Sequence, residues 1–270
     1  MKPIHTIAAL ALSLACGFAT PALAGDFAVL AGTAVTCTDS TVTGDVGVYP
    51  GTAVTQTNCT VAGTVHAGDG VARLAYQAFL AEYARVEAME CDTVLTTLDG
   101  QVLAPGVYCI EAYAASTGSV LTLDGPANGT WIFKIGTSGT GYLEATNFSV
   151  VMTGGGEPCN VTWWVAQYAT LTESDFVGTI LAGAAITITD GTFDGNAFAK
   201  AAVTMTGTDV IGCEGGGNGR GNSGRGCNQG VGNGPEDCDP GNSNQGDPNR
   251  SNDETGGTPG NPGRKGGNGK

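Results

Sequence analysis

The chain has 270 residues, among them 45 glycines, 25 acidic and 11 basic side chains and two histidines, for a formal net charge of -14. That balance argues against nucleic acid or anionic membrane as a partner, because phosphate binding needs a basic face. Only 13% of residues are charged while 41% are apolar, so a sizeable core can be buried, and plentiful glycine and threonine with little lysine suit a turn-rich β protein better than a helical bundle.

Residues 1–24 read as a secretory signal, with Lys2 as the positive start, an apolar stretch from Ile7 to Ala15, and Ala22-Leu23-Ala24 as the small-residue cleavage site. Export with cleavage after Ala24 is therefore expected. The apolar run is too short to span a bilayer and no later stretch is long enough, so no membrane insertion is expected. Cleavage removes Cys16 and leaves Cys37, Cys59, Cys91, Cys109, Cys159, Cys213, Cys227 and Cys238. An even number in an exported chain favours disulfides with open connectivity; proximity along the chain suggests Cys37–Cys59 and Cys91–Cys109. No CxxC pair with histidine support occurs, so no metal site and no cofactor are expected.

The globular part is 25–213. It opens on a tandem repeat: GTAVTCT (Gly32–Thr38) matches GTAVTQT (Gly51–Thr57), and TVTGDV (Thr41–Val46) matches TVAGTV (Thr60–Val65) at the same offset. A helix is predicted from Gly68 to Glu90, with Ala72, Tyr76, Phe79, Tyr83 and Val86 as one apolar stripe and Asp69 at its amino end. At 1.5 Å per residue it would be roughly 34 Å long. Short apolar pieces follow (SVLTLDG, TWIFKI, FSVVMTG, VTWWVA), separated by glycine in the manner of strands and turns.

Three segments then align at a constant, slightly shorter offset, beginning at Ala169, Ile186 and Val203. Thr170, Thr187 and Thr204 share a column, as do Thr172, Thr189 and Thr206, with Leu171, Ile188 and Met205 between them. Phe176, Phe193 and Val210 align downstream, and so do Gly178, Gly195 and Gly212. A repeat of this length holding two or three short strands is one turn of a β-solenoid, which buries its inward residues only by stacking on its neighbours. Mostly β architecture with one helix parallel to the solenoid axis is the expectation, with Leu181 and Phe198 as outward residues beneath the helix.

If Leu171, Ile188 and Met205 point inward, alternation turns the flanking threonines outward. Two columns of hydroxyl and methyl groups result, about 4.8 Å apart between rungs and about 6.8 Å along a strand. Such an array approximates oxygen spacings on growth planes of ice. Threonine is also a good strand former on any solvated sheet, and Glu173, Asp190 and Asp175 stand at the end of the columns.

The chain resembles the secreted ice-binding (antifreeze) proteins of sea-ice bacteria, snow moulds and diatoms. FAVLAG (Phe27–Gly32), GDVGVYPGTAVT (Gly44–Thr55), GTVHA (Gly63–Ala67), LAPGVY (Leu103–Tyr108), WIFKIG (Trp131–Gly136), VTWWV (Val161–Val165) and FVGTILA (Phe176–Ala182) carry the likeness, in order, over about residues 26–212. The resemblance implies a discontinuous right-handed β-solenoid with a long flanking helix. It also implies an ice crystal surface as the partner, bound by a flat face of short residues. Carried over by position, Thr170, Thr172, Thr187, Thr189, Thr204 and Thr206 are the first choice. Thr33, Thr36, Thr52 and Thr55 resemble a threonine/alanine motif of some members and are the second.

From 214 to 270 the composition shifts to glycine, asparagine and proline, and the only apolar residue besides the two cysteines is Val231. A disordered tail is expected, looped by Cys227–Cys238 and able to serve cell-surface or matrix attachment. Enzymatic activity is not expected. Arg73 and Arg85 fall on the helix, Lys134 and Lys200 are isolated, and His66, the only histidine of the mature chain, has no nucleophile to serve and reads as a helix-entry residue. The rival to ice binding is a non-catalytic structural or adhesive module.

Overall fold

The computed structural model describes residues 27–213. The predicted signal segment, the tail and its Cys227–Cys238 loop lie outside the described residues. The chain first forms two rungs, β1 (Phe27–Ala31), β2 (Ala34–Thr38) and β3 (Thr41–Thr43), then β4 (Asp45–Val48), β5 (Ala53–Thr57) and β6 (Thr60–Ala62). After β7 (Val65–Ala67) comes helix α1 (Gly70–Glu87). A short rung, β8 (Thr93–Val94) and β9 (Val102–Leu103), leads to β10 (Gly106–Ile110), β11 (Ala114–Thr117) and β12 (Val120–Asp124). The next rung is β13 (Trp131–Ile135), β14 (Leu143–Thr146) and β15 (Ser149–Thr153). Two rungs of longer strands follow, β16 (Val161–Val165) with β17 (Ala169–Val177), and β18 (Thr179–Ala182) with β19 (Ile186–Asp194). The last is β20 (Ala197–Ala199), β21 (Val203–Thr206) and β22 (Asp209–Ile211).

Every pairing among these strands is parallel, and the order in space is not the order in the chain. One sheet of nine strands runs β7-β4-β1-β20-β18-β16-β13-β10-β8, and one of thirteen contains β5-β2-β21-β19-β17-β15-β12-β9 with β11, β14, β22, β3 and β6. The first rung therefore stacks on the last one, β1 on β20 and β2 on β21, and the second rung stacks on the first from the other side. The likeness drawn from the sequence is met in its coarse form, mostly β with parallel sheets and one helix.

The interior follows from the alternation of the strands. Leu171, Ile188, Met205 and Cys37 lie opposite one another on successive rungs and are all buried. Phe176, Phe193 and Val210 make the second expected stack. Aromatic rings fill the wider rungs, Phe133 on Trp163 at 4.0 Å and Trp163 on Phe176 at 4.8 Å between centroids. Two of the buried indoles reach backbone for a hydrogen bond: Trp131 donates to the Leu103 carbonyl and Trp163 to that of Val177. The aligned glycines are forced by proximity. A Cβ on Gly195 would lie 2.0 Å from the Gly178 carbonyl oxygen.

Helix α1 is shorter at both ends than the periodicity predicts. It starts after Asp69, whose extended backbone and carboxylate form the N-cap by accepting from the Ala72 N–H at 2.8 Å. At the other end Lys134, only 5% exposed, donates from Nζ to the Glu87 carbonyl at 2.9 Å and to that of Met89. A buried ammonium there satisfies carbonyls that the helix itself leaves open and complements the negative end of its dipole. Burial pushes the Lys134 pKa down. The helix buries Ala72, Ala75, Phe79, Tyr83 and Val86, and packs with Leu30, Trp164, Leu181 and Phe198 in a second core, so the predicted partners Leu181 and Phe198 are correct. Tyr76 from the expected stripe is only partly buried and donates to the Lys200 carbonyl. Lys200 in turn sits 3.5 Å over the Tyr83 ring, and burial pushes the Tyr83 phenol up to about 12.

The three disulfides among the described residues fit an oxidising compartment. Cys37–Cys59 and Cys91–Cys109 are the two expected from proximity, and Cys159–Cys213 is a third that sequence distance did not suggest.

Candidate functional site: a threonine wall

Strands β5, β2, β21, β19, β17, β14 and β11 lie side by side in parallel register. Thr170 stands opposite Thr187, Thr187 opposite Thr204, Thr204 opposite Thr36, and Thr36 opposite Thr55. One residue pair further along each strand, the second column reads Thr117, Thr146, Thr172, Thr189, Thr206, Thr38 and Thr57 without interruption. All these side chains are half-buried or exposed while the residues between them are mostly buried, so the threonines face outward. A third column of small residues, Ala185, Ala202, Ala34 and Ala53, flanks them; Ala34 lies opposite Ala53, and backbone bonds at the other rungs keep the line. The wall is thus an Ala-x-Thr-x-Thr motif repeated on four successive rungs.

The structure merges the two predicted sets. Thr36 and Thr55, the second choice, continue the column of Thr170, Thr187 and Thr204, whereas Thr33 and Thr52 stand outside the strands, exposed at the corner before β2 and β5. Sequence reasoning missed Thr38, Thr57, Thr117 and Thr146. The signal was present for two of them, because Thr36-Cys37-Thr38 and Thr55-Gln56-Thr57 share the spacing of Thr170-Leu171-Thr172. Thr117 and Thr146 lack a threonine two residues earlier, where Ala115 and Glu144 stand.

A sharp corner closes the wall on every rung. The residue after the second threonine has a left-handed backbone: Gly118, Asn147, Glu173, Asp190, Gly207, Asp39 and Asn58, with φ between 49° and 64°. This turns the chain onto the next face, so the wall ends at the same register position on every rung. Glycine, asparagine and aspartate adopt that backbone at low cost; Glu173 does so against its preference. Glu173 and Asp190 therefore belong to the corner beyond the columns. Asp175 lies on the face around the corner, opposite Thr192, whose hydroxyl it accepts at 2.7 Å. Asp209 accepts likewise from Thr41 on that face, at 2.5 Å. The Thr192 and Thr41 hydroxyls of that face are thus bound to carboxylates. Those of the wall columns make no hydrogen bond to protein groups among the described residues, and so are left to solvent.

Other chemistry has little material. His66 packs between carboxylates, 2.7 Å from Asp69 and 3.8 Å from Asp45, at the helix entry, as expected. Among the described residues no cluster of histidine, cysteine, aspartate or glutamate is placed to hold a metal ion.

A stack of parallel rungs, a helix packed on one sheet and a regular wall of small hydroxylated residues on another are the features to set beside known proteins. The ice-binding-like family matches residues 29–211, and the chain belongs to it. An ice-binding protein of Nostoc sp. (strain HG1) is 39% identical over 124 residues, which is 44% of this chain and 44% of that protein. The chain thus aligns with less than half the length of this relative. Among solved structures, the ice-binding protein of the Antarctic ascomycete Antarctomyces psychrotrophicus is similar at 27% identity and a TM-score of 0.63, over 70% of this chain and 95% of that one. An ice-binding protein from an Antarctic biological consortium is similar at 28% and 0.64, over 78% and 96%.

Proposed function

We propose that this chain is an exported, non-catalytic protein that adsorbs to ice through the threonine wall, with Thr170, Thr172, Thr187, Thr189, Thr204 and Thr206 at its centre and Thr36, Thr38, Thr55 and Thr57 as its continuation. In this reading the signal segment is removed after Ala24, the rungs wind as a right-handed β-solenoid, α1 runs parallel to its axis, and 214–270 form a disordered tail. The observation that carries the reading is the pair of in-register threonine columns with hydroxyls free of protein partners. Each rung repeats a methyl and a hydroxyl at about 4.8 Å, and the β-branched side chain has few rotamers to lose. Water held weakly and regularly on such a surface can join a crystal lattice. A front growing between adsorbed molecules must then bulge, and its curvature raises the free energy of further growth.

The test is thermal hysteresis and crystal shape with the purified full-length mature protein. Faceted crystals and a freezing gap are expected, both lost in Thr189→Tyr while the circular dichroism spectrum and melting temperature stay unchanged. Crystals that grow as unshaped discs in the wild-type protein would overturn the reading.

A further inference from the structure

Tyr113, Tyr142 and Tyr168 precede β11, β14 and β17, in line with the column that Ala185, Ala202, Ala34 and Ala53 occupy on the other rungs. Backbone bonds fix this line: Ala114 N–H to the Tyr142 carbonyl, Leu143 N–H to that of Tyr168, and Ala169 N–H to that of Ala185. The three rings stack on one another, Tyr113 on Tyr142 at 5.2 Å and 12°, Tyr142 on Tyr168 at 4.9 Å and 5°. The Tyr168 hydroxyl lies 3.2 Å from Glu144 Oε1 as donor. Glu144 stands opposite Thr170, where it ends the first threonine column.

We propose that this aromatic ladder and Glu144 are the boundary of the ice-contacting patch, which limits contact to the five rungs from Thr170 to Thr55. The inference rests on the reading of the wall as the ice-binding surface. A phenol ring reaches further from the backbone than a threonine methyl, so a flat lattice plane seated on the methyls meets the Tyr168 ring at the side of the Thr170 rung, which is the last rung it can touch. Glu144 adds a charged group that holds its own water shell, in the position where the five rungs from Thr170 to Thr55 offer a methyl and a hydroxyl. Thr146 and Thr117 thus continue the second column beyond the point where a crystal plane can follow. The ladder has a structural reason to exist at this end. Among the described strands β11 pairs with β14 alone, and stacked rings staple an edge that few backbone bonds hold. Boundary and staple are the same three side chains.

The experiment compares the full-length mature wild-type protein with Glu144→Thr, with Tyr168→Phe, and with the combination Tyr113→Ala, Tyr142→Ala, Tyr168→Ala and Glu144→Thr. In the combined variant hysteresis at equal molar concentration should rise by roughly a third or more, in proportion to the surface brought into contact, while the melting temperature falls. Glu144→Thr alone should raise hysteresis less, with no loss of stability, and it decides the matter if the combined variant does not fold. Tyr168→Phe frees Glu144 but keeps the ladder, and should leave hysteresis unchanged. A ladder that served stability alone would lower the melting temperature without any gain in hysteresis. That result, with the wild type active and Thr189→Tyr inactive, overturns the boundary and leaves the reading of the wall intact. A wild-type protein without hysteresis overturns both.

Discussion

Thr36, near the start of the described chain, lies directly opposite Thr204, near its end. The pair joins two stretches of threonine that look unrelated in the sequence, because their repeats differ in length, into a single surface. Thr36→Tyr should therefore abolish ice activity as completely as Thr204→Tyr, while Thr33→Tyr and Thr52→Tyr leave it intact. Hysteresis measurements on the four variants check this. The same assay on Thr192→Tyr, around the corner from the wall, should show wild-type activity.

Gly195→Ala tests the stacking of the rungs. Its new Cβ would meet the Gly178 carbonyl oxygen at 2.0 Å, backbone that cannot move without parting two rungs. A loss of about 1–3 kcal/mol or more is expected for such overpacking, read from the urea midpoint.

Lys134→Met keeps the length of the buried stem but removes the ammonium that the Glu87 and Met89 carbonyls share. Hydrogen bonds to a charged group contribute about 1.5–3 kcal/mol, and a loss in that range is expected by chemical denaturation. Protection of the last helical turn in amide exchange should fall with it.

Acid should act through the helix cap. The Ala72 N–H, and after it His66, hold the Asp69 carboxyl below its ordinary value. A depressed carboxyl pKa contributes stability in full above the unfolded value of about 3.9, and the contribution is lost as pH falls through the folded one. The melting temperature of Asp69→Ala should thus lie below that of wild type at pH 6, and the gap should close as pH drops below about 4. A gap that stays constant down to pH 2 would contradict the cap.

Cys159–Cys213 closes a sequence separation of 54, against 22 and 18 for the other two disulfides. Loop-closure entropy then assigns it about 4 kcal/mol and the others about 3 kcal/mol each. Replacing Cys159 and Cys213 by alanine should produce the largest fall in melting temperature of the three pairwise removals.

Much of this was legible in the sequence. The repeat that starts at Ala169 pointed to Leu171, Ile188 and Met205 as inward and their threonine neighbours as outward, because period-two alternation puts the two sets on opposite faces and the apolar set is the one that gains from burial. The apolar stripe of α1 and the acid before it defined the helix to within a few residues. What the sequence withheld depends on order in space. Nothing local in Val35-Thr36-Cys37 says that β2 pairs with β21, since a parallel rung takes whichever neighbour the winding brings. Glu144 and Ala115 broke the Thr-x-Thr spacing and so hid Thr146 and Thr117. Lys134 looked isolated because its partners are carbonyls of residues far earlier in the chain.

The pairing of β2 with β21 also sets a timetable. A ribosome delivers β1 to β6 first, yet their central neighbour is the last rung to emerge, so those early strands must wait, exposed on one edge, for nearly the whole domain to be made. The continuous threonine wall exists only when this late junction closes. A chain that stops before Val203 would carry both halves of its threonine and join neither to the other.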